Sequence, residues 1–252
     1  MAICSGRTVI ITGAGGGLGR AYALAFAAAG AKVINDIRAD AAQDVAGEIR
    51  ASGGQAIANS DDITTLATAQ HIIDAALGAF GEVHVLVNNA GVLRDRMFIS
   101  LSEEDWDMVM RVHLKGHYCL ANLLGRRWRD LAKAGTPVDG RIINTSSGAG
   151  LQGSVGQSNY SAAKGAIASL TLVQAAELAR YGITANALAP AARTSMTESA
   201  MPDVVKKPED DSFDAWAPEN VAPLVVWLGS TESAHVNGQV FESQGGRISL
   251  GD

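Results

Sequence analysis

The chain has 252 residues, 47% of them apolar and 18% charged, with a formal net charge of -6. That balance excludes a disordered chain, supports one core in a single domain over residues 1–252, and offers no basic run to recruit nucleic acid. Without a membrane-length apolar run, a signal-type segment, or more cysteines than Cys4 and Cys119, the expectation is a soluble cytoplasmic protein with no metal site, disulfide framework or membrane contact.

Runs rich in Val and Ile alternate with stretches of helical period. This is the pattern of an α/β protein whose Rossmann-like, doubly wound sheet of seven parallel strands carries helices on both faces. The first strand, Thr8 to Thr12, leads into a turn containing Gly13, Gly17, Leu18 and Gly19, and then a helix from Leu18 to Ala29. Glycines there let the backbone approach a pyrophosphate whose charge the helix N-terminus stabilises, so a dinucleotide is the expected ligand. The second strand, Lys32 to Asp36, ends on a carboxylate placed to accept hydrogen bonds from the adenosine ribose. A 2'-phosphate would bring roughly two negative charges against Asp36, which favours NAD over NADP, although Arg38 is close by. A helix from Ala39 to Ala51 and a strand from Gln55 to Asn59 follow. Asp62 and Ile63 come next, where a carboxylate could meet the adenine amino group, with Asp61 competing for that role.

Beyond a helix from Thr64 to Gly78, the strand Val83 to Asn88 ends in Asn89, Ala90 and Gly91, small groups that permit close approach to a bound cofactor. One long helix is expected from Glu103 to Lys133. It carries His113 and His117 at i,i+4, a spacing able to chelate zinc but lacking a third ligand in any recognisable motif, so a helix contact is expected instead. Ala134 to Gly140 suits a surface turn, and the strand Arg141 to Thr145 is capped by Ser146 and Ser147. The helix Asn159 to Arg180 puts Tyr160 and Lys164 four positions apart on one face, where an ammonium would favour the ionised phenol. Ser147 would then hold a substrate oxygen against that phenol. After the strand Ile183 to Leu188, residues Pro190 to Trp216 form a segment too long for an ordinary connection, and a substrate lid at about 190–216 is expected. Its Met196, Met201, Phe213 and Trp216 would cover an apolar substrate. A helix from Pro218 to Gly229 and a strand from Gln239 to Ser243 complete the pattern.

In order and spacing, the glycine turn, Asn88-Asn89-Ala90-Gly91, Ser147, Tyr160-x-x-x-Lys164 and Pro190 to Thr194 resemble the short-chain dehydrogenase/reductase family across essentially the whole chain. The resemblance implies that Tyr160 is the general acid/base, that Lys164 lowers its pKa and binds the nicotinamide ribose, and that Ser147 positions the carbonyl or hydroxyl. It further implies that Thr194 holds the carboxamide, that the backbone of Ile183 to Leu188 supports the nicotinamide pocket, and that the two longest helices pair subunits in a homodimer or homotetramer. His113 stands where most members have an Asn whose main-chain carbonyl leads toward the Lys, and Ala191 replaces a common Gly.

Leu93-Arg-Asp-Arg-Met97, Glu104-Asp-Trp106 and Arg111-Val-His-Leu114 are similar to a narrower group, the hydroxyacyl-CoA dehydrogenase unit of peroxisomal multifunctional enzyme type 2 (17β-hydroxysteroid dehydrogenase type 4). No hydratase or sterol-carrier unit follows, so a free-standing relative is expected. The function implied is an NAD-dependent oxidoreductase interconverting a secondary alcohol and a ketone, with a 3-hydroxyacyl-CoA or hydroxysteroid-type substrate. The alternatives are an NADPH-dependent 3-oxoacyl-acyl-carrier-protein reductase and a non-catalytic dinucleotide-binding regulatory protein.

Overall fold

The computed structural model describes residues 2–36, 38–194, 197–198 and 202–251, with the side chains of 33–36 outside that description. Seven parallel strands form where the apolar runs predict them: β1 Thr8–Thr12, β2 Lys32–Asp36, β3 Gln55–Asn59, β4 Val85–Asn88, β5 Gly140–Thr145, β6 Ile183–Ala191 and β7 Val240–Gln244. An eighth, β8 Arg247–Leu250, pairs antiparallel with β7, giving the order β3-β2-β1-β4-β5-β6-β7-β8. The seven-stranded expectation therefore gains one edge strand. Gln244 faces Arg247 across the two-residue turn Gly245-Gly246, a hairpin connection that a search for parallel strands passes over.

Alternating strand residues feed two cores. Val9, Ile11, Val85, Val87 and Ile143 pack beneath α1 (Gly17–Ala28), α2 (Ala39–Ala51) and α8 (Ala222–Gly229), around the fully buried Tyr22 and Phe26. Ile10, Leu86, Ile142 and Ala185 face the opposite side. There they meet Ile72 and Ile73 of α3 (Leu66–Phe80), Leu120, Leu124 and Trp128 of α5 (Gly116–Lys133), and Ala175 of α7 (Ser158–Leu178). Each large side chain so buried contributes ~1.5–3 kcal/mol. This two-sided burial is what a parallel sheet requires.

The long helix does not run straight. It consists of α4 (Glu103–Met110), a π-helical turn over Arg111–Lys115, and α5. Single π turns inside α-helices are rare and often sit at functional sites; this one carries His113. A short helix, α6 (Gly148–Gln152), also separates the end of β5 from α7. No described helix is long and apolar enough to cross a membrane.

Candidate active site

The carboxyl ends of the strands open onto two adjoining cavities, as expected for an open α/β sheet. The larger, about 660 Å³, runs from the glycine turn past Arg38, Asp62 and Ile63 to Ala90, Gly91 and Thr194. Gly13 and Gly17 adopt left-handed φ values of 67° and 50°. A β-carbon on Gly19 would fall 2.1 Å from the Gly13 carbonyl, so that position admits only glycine. Gly16, the N-cap of α1, makes no side-chain cap hydrogen bond, and a β-carbon there would meet nothing within 4 Å. The helix thus presents its first amides to open space, and the residues present fit a dinucleotide pyrophosphate.

Asn89 holds this turn in place. Its side-chain amide donates to the carbonyls of Thr12 and Gly13 at 3.0 and 3.3 Å, while the Thr12 hydroxyl accepts from the amides of Asn89 and Ala90 at 2.9 and 3.0 Å. Thr12 opens the glycine-turn motif, but its grip on Asn89 and Ala90 joins positions 77 and 78 apart and has no local signature. Asp62, exposed on the cleft, accepts from the Thr64 amide and hydroxyl at 2.8 and 2.9 Å. Ile63 lines the cleft and is buried against Gly116. Asp36 closes β2 in register with Thr12 and Asn59, and its side chain lies outside the described residues.

The second cavity, about 420 Å³, brings together Ser147, Tyr160, Lys164, His113 and Thr194. Ser147 caps α6, its hydroxyl accepting from the Ala149 amide at 3.2 Å, and it also hydrogen-bonds Tyr160. Lys164 is 2% exposed, its Nζ 5.6 Å from the Tyr160 ring centroid and donating to the Thr145 carbonyl at 2.6 Å. Burial pulls this amine down to about 7. The expected depression of the Tyr160 pKa is absent from this arrangement. Burial pushes the phenol up, the Ser147 hydrogen bond partly offsets that, and the negative charge of Asp95 adds to the rise. The ammonium is directed at a carbonyl, not at the phenol oxygen.

His113 lies at the base of the cavity, its ring edge-on to Tyr160 at 5.3 Å between centroids. Its Nε2 sits 3.0 Å from the Val92 amide and 2.8 Å from the Val92 carbonyl, and Gly91 packs so closely that a β-carbon would fall 2.4 Å from Cε1. Burial and the nearby Lys164 charge lower its pKa to about 3, so the imidazole is neutral. Both histidine rings are buried beside Lys164; His113 makes a helix contact through Tyr160 of α7, while the His117 ring accepts from the Thr145 amide of β5. Among the described residues no group of three His, Cys, Asp or Glu is placed to hold a metal ion.

The loop after Leu93 is strapped to the start of α7. Gln157 donates to Asp95 at 2.9 Å, Arg96 donates through its amide to the Gly156 carbonyl at 2.9 Å, and Asn159 donates to the carbonyls of Arg94 and Asp105. Over the top, Pro190, Ala191, Ala192, Thr197 and Trp216 line the same cavity. Arg193 ties this segment together, its guanidinium paired with Asp214 and its amide donating to the Trp216 carbonyl at 2.6 Å. Met196 and Met201 lie outside the described residues.

Residues 7–204 match the short chain dehydrogenase family. The chain belongs to that family of oxidoreductases, which bind a nicotinamide dinucleotide and act on hydroxyl and keto groups. It is 46% identical to the hydroxyacyl-CoA dehydrogenase ChsB1 of Mycobacterium tuberculosis over 98% of this chain and 80% of that protein. Peroxisomal multifunctional enzyme type 2 of Mus musculus is 45% identical over 96% of this chain, which spans 32% of that longer protein. Among solved structures, a short chain dehydrogenase from Mycobacterium avium superposes with a TM-score of 0.90 at 53% identity, covering 99% of this chain and 86% of that one.

Proposed function

We propose that the protein is an NAD-dependent dehydrogenase interconverting a secondary alcohol and a ketone, with a 3-hydroxyacyl-CoA, or less favourably a hydroxysteroid, as substrate. The observation that carries this reading is the convergence of Ser147, Tyr160 and Lys164 where a nucleotide-sized cleft meets a second cavity. The names of two relatives, a hydroxyacyl-CoA dehydrogenase and a peroxisomal multifunctional enzyme, support the acyl-CoA substrate. Asp36 at the end of β2 supports NAD. Arg38 on the cleft wall favours a second reading, an NADPH-dependent 3-oxoacyl-acyl-carrier-protein reductase. So does a relative from Synechocystis named 3-oxoacyl-[acyl-carrier-protein] reductase, 36% identical over 98% of the chain.

In oxidation, Ser147 holds the substrate hydroxyl and Tyr160 takes its proton. A bound nicotinamide supplies the hydride acceptor at its C4. Lys164 would hold the nicotinamide ribose and offer positive charge to the phenolate that accepts this proton, and Thr194 would face the carboxamide. The protein's own share is orientation and charge placement. Residues 190–216 act as the substrate lid, with Trp216 as its apolar underside. An open groove between the π turn and α7, lined by Met110, Leu114, Tyr118 and Leu170, supports pairing of subunits through the long helices in a cytoplasmic homodimer or homotetramer.

The test is a spectrophotometric screen of NAD and NADP reduction against acyl-CoA, steroid and small-alcohol panels, run beside Tyr160→Phe. Loss of a positioned acid/base removes ~10²–10⁴-fold of turnover. Wild-type turnover in the Phe variant, with NAD binding intact, refutes the assignment.

A further inference from the structure

His117 is a strange occupant for its position. It lies on the α5 face whose neighbours Cys119, Leu120 and Leu124 form the apolar core beneath the sheet, and it is 1% exposed. An imidazole there is worth its desolvation only if its nitrogens are used. One of them is: the Thr145 amide donates to Nε2 at 3.3 Å. That same Thr145 offers its carbonyl to Lys164 Nζ at 2.6 Å. His117 and Lys164 therefore both grip one residue of β5, two positions before Ser147.

The grip belongs to a buried polar row crossing four elements. Asn88 of β4 donates to the His117 carbonyl at 3.2 Å and to the Asn144 side chain at 3.0 Å; Asn144 of β5 in turn donates to Thr171 and Gln174 of α7 at 2.9 and 2.8 Å. Accepting at Nε2 fixes the neutral ring with its proton on Nδ1. The main-chain carbonyls of His113 and Asn88 face the ring, and Nδ1 itself has no hydrogen-bond partner among the described residues. Lys164 and His113 are the titratable groups acting on it.

We infer that His117 is a positioning residue for the reaction: a neutral, Nδ1-protonated imidazole that fixes the Thr145 peptide and through it holds the Lys164 ammonium in place under Tyr160. This rests on the acid/base assignment proposed above. With the imidazole gone, the Thr145 amide loses this acceptor, the end of β5 loosens, and Lys164 moves from its carbonyl toward water. Two quantities then rise together: the pH at which Lys164 titrates and the pH at which kcat/KM for oxidation reaches half its plateau.

The experiment compares His117→Leu, which removes the acceptor, with His117→Gln, whose Oε1 reaches the place of Nε2, and with His117→Asn, which is polar but too short. Two readouts are taken in the purified protein: the pH profile of kcat/KM, and the titration of Lys164 followed by the NMR shift of its isotopically labelled ε-carbon, which does not depend on turnover. Leu and Asn are expected to move both midpoints up by ~1 unit, with ~10-fold less activity at neutral pH. Gln is expected to stay within ~3-fold of the wild type. A Leu or Asn variant with unmoved midpoints and only a lower Tm assigns His117 to stability and overturns the inference, as does a Gln variant that behaves like Leu. If Leu fails to fold, the Asn and Gln pair carries the same comparison. Failure of the acid/base assignment itself shows separately, as an active Tyr160→Phe.

Discussion

Lys164→Met keeps the length and apolar stem of the side chain and removes its charge. In the free protein burial brings the amine from 10.5 to about 7, so the folded state binds fewer protons than the unfolded chain throughout that interval. Stability therefore rises with pH across it, and the full penalty of the buried charge is felt at and below neutrality. Each unit is worth ~1.4 kcal/mol, so from pH 7 to pH 9 the wild type regains roughly 2 kcal/mol that the Met variant never lost. For a chain of this size that is about 4–8 °C in Tm. The window closes near 9, because burial pushes the Cys4 thiol from 9.0 to about 11, and a raised thiol pKa makes stability fall with pH above its unfolded value. Thermal unfolding of both proteins without nucleotide, at half-unit steps between those limits, is the assay. The variant should be the more stable at neutral pH and the curves should converge on the alkaline side. Parallel curves would show that the ammonium is not penalised by burial, and would remove the basis for treating Lys164 as a poised, desolvated amine.

Three further outcomes are expected. Steady-state kcat/KM with each cofactor should favour NAD, Asp36→Ala should narrow that preference, and Arg38→Ala should widen it; equal wild-type efficiencies would mean that Arg38 dominates. His113→Asn should keep most activity and withstand acid better, because a histidine held at about 3 when folded costs stability as pH falls below its ordinary 6.5. Chemical denaturation from pH 7 to pH 4 reads this, and a loss of activity beyond ~100-fold would instead give the imidazole a catalytic part. Limited proteolysis should cut residues 190–216 readily in the free enzyme and sparingly with NAD and substrate, and free Asp214→Ala, which loses the ion pair to Arg193, should be cut faster than the free wild type; identical cleavage patterns would make the segment scaffold.

The strand assignments were legible because a sheet buried on both faces writes unbroken apolar runs, and Val9, Ile10 and Ile11 are all needed by one core or the other. β8 was not, since its Ile248 and Leu250 are more than half exposed and its pairing depends on a Gly-Gly turn. The π turn was equally hidden: one extra residue in a helical coil changes no composition, only which face His113 and His117 present. At the site, spacing revealed Tyr160, Lys164 and Ser147, because i,i+4 on a helix is a local rule. It could not reveal Thr12, Thr145 or Asp95, whose significance comes from partners 77, 19 and 62 positions away.

Leu18, Asn89, Gly91 and Thr194 line both cavities, so the nucleotide cleft and the substrate chamber share one wall. That wall imposes a sequence on events. A substrate seated first would stand across the route by which the nicotinamide end reaches Thr194, whereas a nucleotide seated first completes the floor against which the substrate rests. On the proposed reading, ordered binding is the expected outcome, with the dinucleotide leading and leaving last. Substrate in excess would then also meet the form that still holds spent cofactor, and the abortive complex so formed would slow turnover without any change in the proton-transfer residues.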